Sequence, residues 1–167
     1  MNETSTELRF ATSSIGATHE LGASLARVLP PGTVLVLRGD LGTGKTALAQ
    51  GVARGLGVVD RVTSPTFTMM ASYETDGQRG IDVFLHADLY RVGSGIEADD
   101  LAIAELVEDA AIAAVEWGDI APDVLGPRRV DVAISMGEGD DDRCFLIEPG
   151  PLDPSSLAHA LKAWSER

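Results

Sequence analysis

The chain has 167 residues, 44% hydrophobic and 23% charged, which suits a single globular domain over residues 1–167 with a core of ordinary size. Its formal net charge of −13, with only 13 Lys and Arg residues, argues against unaided binding to a nucleic-acid backbone. No apolar run is long enough to span a bilayer, no basic-then-apolar leader opens the chain, and the lone Cys144 rules out an intramolecular disulfide framework. A reducing cytoplasm and no membrane are therefore expected, with Cys144 read as a small core residue.

Residues 8–11 are expected to form a short edge strand. A helix follows, with Thr18 as its N-cap and Leu21, Leu25, Val28 and Leu29 at helical spacing beside the small Ser24, stopped before Pro30, Pro31 and Gly32. Residues 33–38, Thr-Val-Leu-Val-Leu-Arg, are a β-branched and apolar run suited to a buried parallel strand. Residues 39–46 then read Gly-Asp-Leu-Gly-Thr-Gly-Lys-Thr, which fits G-x-x-x-x-G-K-[ST], and residues 47–56 continue as a helix ending near Gly57.

That stretch is the anchor of the functional reading. A loop whose backbone N–H groups converge on phosphate oxygens has no room for a Cβ at Gly39, Gly42 and Gly44. Lys45 supplies a point charge for the β- and γ-phosphates, and Thr46 a hydroxyl for Mg²⁺, at a helix N-terminus that itself favours anions. A chance match is a glycine-rich turn; the strand before and the helix after argue against it. Lys45 and Lys162 are the only lysines, and Leu161-Lys162-Ala163-Trp164 does not match the Asn/Thr-Lys-x-Asp element of guanine-specific proteins, so ATP is expected over GTP.

Residues 60–67 are polar and interrupted by Pro65. Their hydroxyls, Thr63, Ser64 and Thr66, read locally as caps of their own turn, with a switch reaching Mg²⁺ or the γ-phosphate as the alternative. Residues 67–73 and 81–88 are expected to pair as a hairpin. The second strand places Asp82, Phe84, His86 and Asp88 on one face. Asp88, at the strand's end, could hold Mg²⁺ or orient a water, or be a surface acid at a turn. His86 reads as a packed residue or one that supports the site from behind, and Arg91 as a phosphate contact or a partner of nearby acids.

Residues 96–109 read as one acidic helix. Residues 110–115 run without a charge into Glu116 and Trp117, a fully buried strand that delivers an acid at its carboxyl end, so Glu116 outranks Asp88 for a metal-linked or water-polarising role and the two could share one Mg²⁺ site. Trp117 is a lid or, more simply, core. Residues 119–127 form a loop, residues 129–135 and 143–147 a second hairpin around an acidic turn, and residues 154–164 a closing helix. The fold class expected is α/β: a three-layer P-loop NTPase domain whose mixed sheet has a parallel centre and antiparallel hairpin additions.

Five stretches together resemble the bacterial TsaE (YjeE) family, the P-loop ATPase of tRNA threonylcarbamoyladenosine (t6A) biosynthesis: Thr18-His19-Glu20-Leu21-Gly22, the loop of residues 39–46, Ser64-Pro65-Thr66-Phe67, His86-Ala87-Asp88-Leu89-Tyr90-Arg91 and Val115-Glu116-Trp117. The resemblance implies an ATPase that works with the TsaB and TsaD proteins, which transfer threonylcarbamoyl to tRNA, so that tRNA is met through the complex. It implies that Leu41, Gly42, Thr43, Gly44, Lys45 and Thr46 bind phosphate, that Thr46 and Glu116 hold Mg²⁺, that Asp88 completes the site or positions water, and that Thr66 belongs to a switch. Arg143 is a candidate adenine contact. Ala87 and Gly118 depart from the bulkier residue and the proline of many relatives. Other readings are a P-loop small-molecule kinase, for which Arg128 and Arg129 would have to serve as the lid arginines, and a scaffold that binds nucleotide only for stability.

Overall fold

The computed structural model of the chain describes residues 6–65, 67–93, 95–108 and 110–166. Thr66, one of the switch candidates, lies outside them. Seven strands form one sheet: β1 (Leu8–Thr12), β2 (Val34–Arg38), β3 (Met70–Glu74), β4 (Val83–Asp88), β5 (Ala111–Glu116), β6 (Arg129–Met136) and β7 (Arg143–Glu148), in the order β1-β7-β6-β2-β5-β4-β3. The four central strands are parallel, β6 with β2, β2 with β5 and β5 with β4. The hairpins β3–β4 and β6–β7 and the pair β1–β7 are antiparallel. The expected mixed α/β architecture is thus observed.

Composition explains the layers. β2 and β5 are buried on both faces, as their unbroken apolar runs require. One face, carrying Leu35, Leu37, Phe84, Ile112 and Ala114, packs with Leu21, Leu25, Leu48 and Val52 of α1 (Ile15–Ala26) and α2 (Lys45–Gly55). The other, carrying Val34, Val36, Leu85, Ala87, Ala113 and Val115, is covered by α3 (Gly95–Asp99), α4 (Ile103–Leu106) and the turns after β5. The helix α5 (Pro154–Ala160) adds Leu157 to the first core. None of the described helices is long and apolar enough to cross a membrane.

Helices α1 and α2 approach each other closely because glycines face the contact. A Cβ on Gly22 would lie 2.6 Å from the Leu48 carbonyl oxygen, and one on Gly51 would lie 2.3 Å from that of His19. Backbone cannot yield at that distance. The position of α2, and of the loop that opens it, is therefore set by glycine.

Several local expectations are corrected. The N-cap of α1 is Ser14, whose Oγ accepts from Ala17 N, while Thr18 lies one turn inside and bonds Thr12 Oγ1 at 2.8 Å. The acidic stretch is two short helices, because Ala102 takes a left-handed φ of 50° between them. The first hairpin strand begins at Met70, since Met69 has a φ of 61° and Phe67 is exposed. Cys144 is half-buried on β7 rather than in the core.

Candidate functional site

The loop between β2 and α2 has the expected curl, but the expected crowding is found only at Gly39: no atom stands within 4 Å of a Cβ on Gly42, and only Arg143 Nε, at 3.9 Å, near one on Gly44. Gly39, Gly42 and Gly44 all have positive φ, and a Cβ on Gly39 would lie 2.4 Å from the Ile134 carbonyl oxygen, so the first glycine is fixed by the neighbouring strand as well as by the loop's curl. Thr43 Oγ1 donates to Asp40 O at 2.9 Å, closing the loop from within. Gly44 is the N-cap of α2, with no side-chain cap, and its carbonyl accepts from Leu48 N; Gly44, Lys45 and Thr46, whose N–H groups precede the first intrahelical bond, line the cleft.

Lys45 is nearly buried. Its Nζ donates to Gly39 O at 2.6 Å and Asp40 O at 2.8 Å and lies 4.2 Å from the centre of the Trp117 ring. Burial lowers the Lys45 ammonium pKa below its usual range, against the Glu116, Asp88, Asp40 and Asp119 carboxylates, which favour its charge. Trp117 reaches that place because its φ of 59° turns the chain sharply at the end of β5, and it meets the Tyr90 ring at 5.0 Å between centroids. Trp117 meets both readings: it is half-buried, packs against the second core and walls the cleft.

The two strand-end carboxylates stand side by side, Asp88 of β4 in register with Glu116 of β5. They are engaged differently. Thr46 Oγ1 donates to Glu116 Oε1 at 2.7 Å, and the His86 Nε2 lies 2.8 Å from the same oxygen. Asp88 instead accepts from Tyr90 N at 2.9 Å and from Ser64 Oγ at 3.2 Å, which ties it to the segment before Pro65. So Glu116 faces the phosphate loop, and Asp88 faces the segment read as a possible switch. Leu41, Gly42, Gly44, Lys45, Thr46, Ser64, Asp88, Glu116 and Trp117 line one cleft of about 370 Å³, with Tyr90 and Arg91 at its side. Thr43 supports the loop without lining that cleft. Arg91 lies over the Phe67 ring, 4.9 Å from its centre, and Arg143 Nη2 reaches Gly42 O at 3.4 Å from the other side of the loop.

A hard divalent cation fits the donors present. Thr46 and Glu116 offer oxygen at hydrogen-bond distance from each other, and Asp88 adds a second carboxylate on the adjacent strand. Among the described residues no cluster of three or more His, Cys, Asp and Glu could hold a metal alone. The Thr46 hydroxyl and the two carboxylates would suit Mg²⁺, which uses one or two protein carboxylates together with phosphate oxygens and water. Three contacts were not read from the sequence: Ser64 to Asp88, Lys45 to Trp117, and His86 to Glu116. The two-residue period had put His86 on the face of Asp88, but only the strand order puts Glu116 next to it.

Comparison with known proteins places the chain in a family. A family model described as threonylcarbamoyl adenosine biosynthesis protein TsaE matches residues 12–145. The chain is 34% identical to the tRNA threonylcarbamoyladenosine biosynthesis protein TsaE of Bacillus subtilis over 137 residues, 82% of each chain. It is 40% identical to the protein of that name from Synechocystis, over 73% of this chain and 76% of the relative, and 38% identical to that from Streptomyces coelicolor, over 72% and 80%. Among solved structures, that of Bacillus subtilis YdiB superposes with a TM-score of 0.75 at 28% identity, covering 95% of both chains.

Proposed function

The chain belongs to the TsaE family of tRNA threonylcarbamoyladenosine biosynthesis proteins, and from that premise we propose that residues 1–167 act as one ATP-binding and ATP-hydrolysing domain in that pathway. The observation that carries the reading is the Thr46–Glu116 hydrogen bond of 2.7 Å, which joins the phosphate-loop hydroxyl to the carboxylate at the end of the buried strand. In this reading the loop from Leu41 to Thr46 binds the polyphosphate and Lys45 exchanges loop carbonyls for β- and γ-phosphate oxygens. Thr46 and Glu116 hold Mg²⁺, which when bound neutralises charge on the phosphates. Asp88 completes that site or orients the attacking water, Glu116 polarises it, and Thr66 contributes with the Ser64 segment to a nucleotide-dependent switch.

The overall reaction is ATP and water to ADP and phosphate. Arg91 lines the cleft but lies over the Phe67 ring, and Arg143 meets the loop at the Gly42 carbonyl, so little positive charge beyond Lys45 is directed at a γ-phosphate and intrinsic turnover is slow. A kinase reading needs arginines over the cleft. Arg128 and Arg129 instead stand at the start of β6, the opposite end of the sheet, where they bond Glu108 O and Pro122 O. The partners in this reading are TsaB and TsaD, with tRNA met through them and the cytoplasm as the setting; a formal charge of −13 suits a protein that need not grip tRNA itself.

The test is phosphate release from ATP by the chain alone and with TsaB, TsaD and tRNA. Slow release that rises at least several-fold with the partners is expected. Stoichiometric phosphoryl transfer to a small molecule, or turnover indifferent to the partners, would contradict the reading.

A further inference from the structure

Glu116 is held from behind as well as from the loop. His86 is fully buried on β4, and its Nε2 lies 2.8 Å from Glu116 Oε1, the same oxygen that accepts from Thr46 Oγ1. A carboxylate oxygen accepts, so Nε2 carries the proton and donates. The residue beside His86 on β5 is Ala114, small enough to leave the imidazole room, and Glu116 sits two positions further on the same face. On the other side the imidazole meets the Phe84 ring at 6.2 Å between centroids. Its Nδ1 is buried with no hydrogen-bond partner among the described residues. An apolar residue in that core position would leave no such atom unpaired, so packing does not account for histidine here, whereas the bond to Glu116 does.

We propose that His86 is the positioning residue of Glu116. Both donors fall on Oε1, which leaves Oε2 as the oxygen offered to the cleft, and the His86 bond keeps that orientation when Thr46 turns its hydroxyl to a cation. The imidazole never touches nucleotide. Its effect is on how well Glu116 and Thr46 together hold Mg²⁺, an inference that rests on the Mg²⁺–ATP reading of the site.

The test measures binding of a non-hydrolysable ATP analogue by calorimetry, with and without Mg²⁺, in wild type and in His86→Gln, His86→Asn and His86→Phe. A glutamine amide nitrogen reaches as far as Nε2; an asparagine amide nitrogen reaches only as far as Nδ1. Removing a residue that orients a metal ligand typically weakens metal affinity about 10–100-fold, so the Mg²⁺ concentration for half-maximal binding should rise by about that factor in His86→Asn and His86→Phe. It should stay within about three-fold of wild type in His86→Gln, and analogue affinity in EDTA should be the same in all four. If His86→Phe does not fold, the Asn and Gln pair still decides. Equal Mg²⁺ dependence in His86→Asn and His86→Gln, or wild-type dependence in His86→Phe, would overturn the proposal. A wild-type chain that binds the analogue with Mg²⁺ dependence yet releases no phosphate contradicts the hydrolysis reading and not this one; a wild-type chain whose analogue binding ignores Mg²⁺ overturns both.

Discussion

Lys45 shows how one side chain carries both a binding and a stability consequence. It sits almost wholly buried between two loop carbonyls and an indole face, and burial lowers its pKa from 10.5. Between that lowered value and 10.5 the unfolded chain binds more protons than the folded one, so the Lys45 contribution to stability rises with pH through that window. Thermal unfolding followed from neutral pH upward should show this rise in wild type and lose it in Lys45→Met. In the proposed reading the same substitution also removes the charged donor for phosphate; charge-assisted bonds contribute about 1.5–3 kcal/mol, so analogue affinity should fall roughly 10- to 100-fold. Unchanged affinity would mean the loop does not grip polyphosphate. Lys45 itself was legible from the loop pattern; for Trp117 the lid and core readings both stood, and its contact with Lys45 was not readable, because nothing local signals that a tryptophan after a buried strand takes a φ of 59°.

At the scale of elements, the loop is only as well placed as α2, and α2 is placed by α1. Gly51 lies in the middle of α2 with its Cα against the His19 backbone. Two effects compete in Gly51→Ala: the better helix propensity of alanine is worth about 1 kcal/mol, while forcing a methyl into backbone 2.3 Å away costs roughly 1–3 kcal/mol or more. The clash should prevail. Denaturant unfolding is expected to show a net loss of stability, and a stabilised variant would show that the helices are free to separate. The pattern of the sequence revealed where these helices run but not this contact, since a glycine inside a helix reads the same whether it faces solvent or another backbone. The break at Ala102 was hidden for a related reason: a non-glycine residue at positive φ is held by its neighbours in space, which a linear sequence does not list.

Over the whole molecule, the sequence made the mixed α/β class readable through two unbroken apolar runs and two hairpins, and left the strand order unreadable. That order decides the site. It sets β5 between β2 and β4, so that Glu116 meets the loop on one side and Asp88 and His86 on the other. Residues that are 70 and 30 positions apart in the chain, Thr46 and Glu116, and His86 and Glu116, become hydrogen-bond partners through it. The acidic balance of the chain is also a property of the whole, and it suits the proposed reading, in which a few loop N–H groups and Lys45 would hold the nucleotide and partners would hold tRNA.

The measurement that bears most directly on the site is single-turnover ATP hydrolysis by wild type beside Glu116→Gln, with analogue binding measured on both. The expected result is that the analogue still binds but needs at least about 10-fold more Mg²⁺, as expected when a metal ligand is weakened, while hydrolysis falls by at least about 100-fold because the carboxylate that polarises the water is gone. Hydrolysis at the wild-type rate in Glu116→Gln would contradict the central claim and move the chemistry away from the Thr46–Glu116 pair.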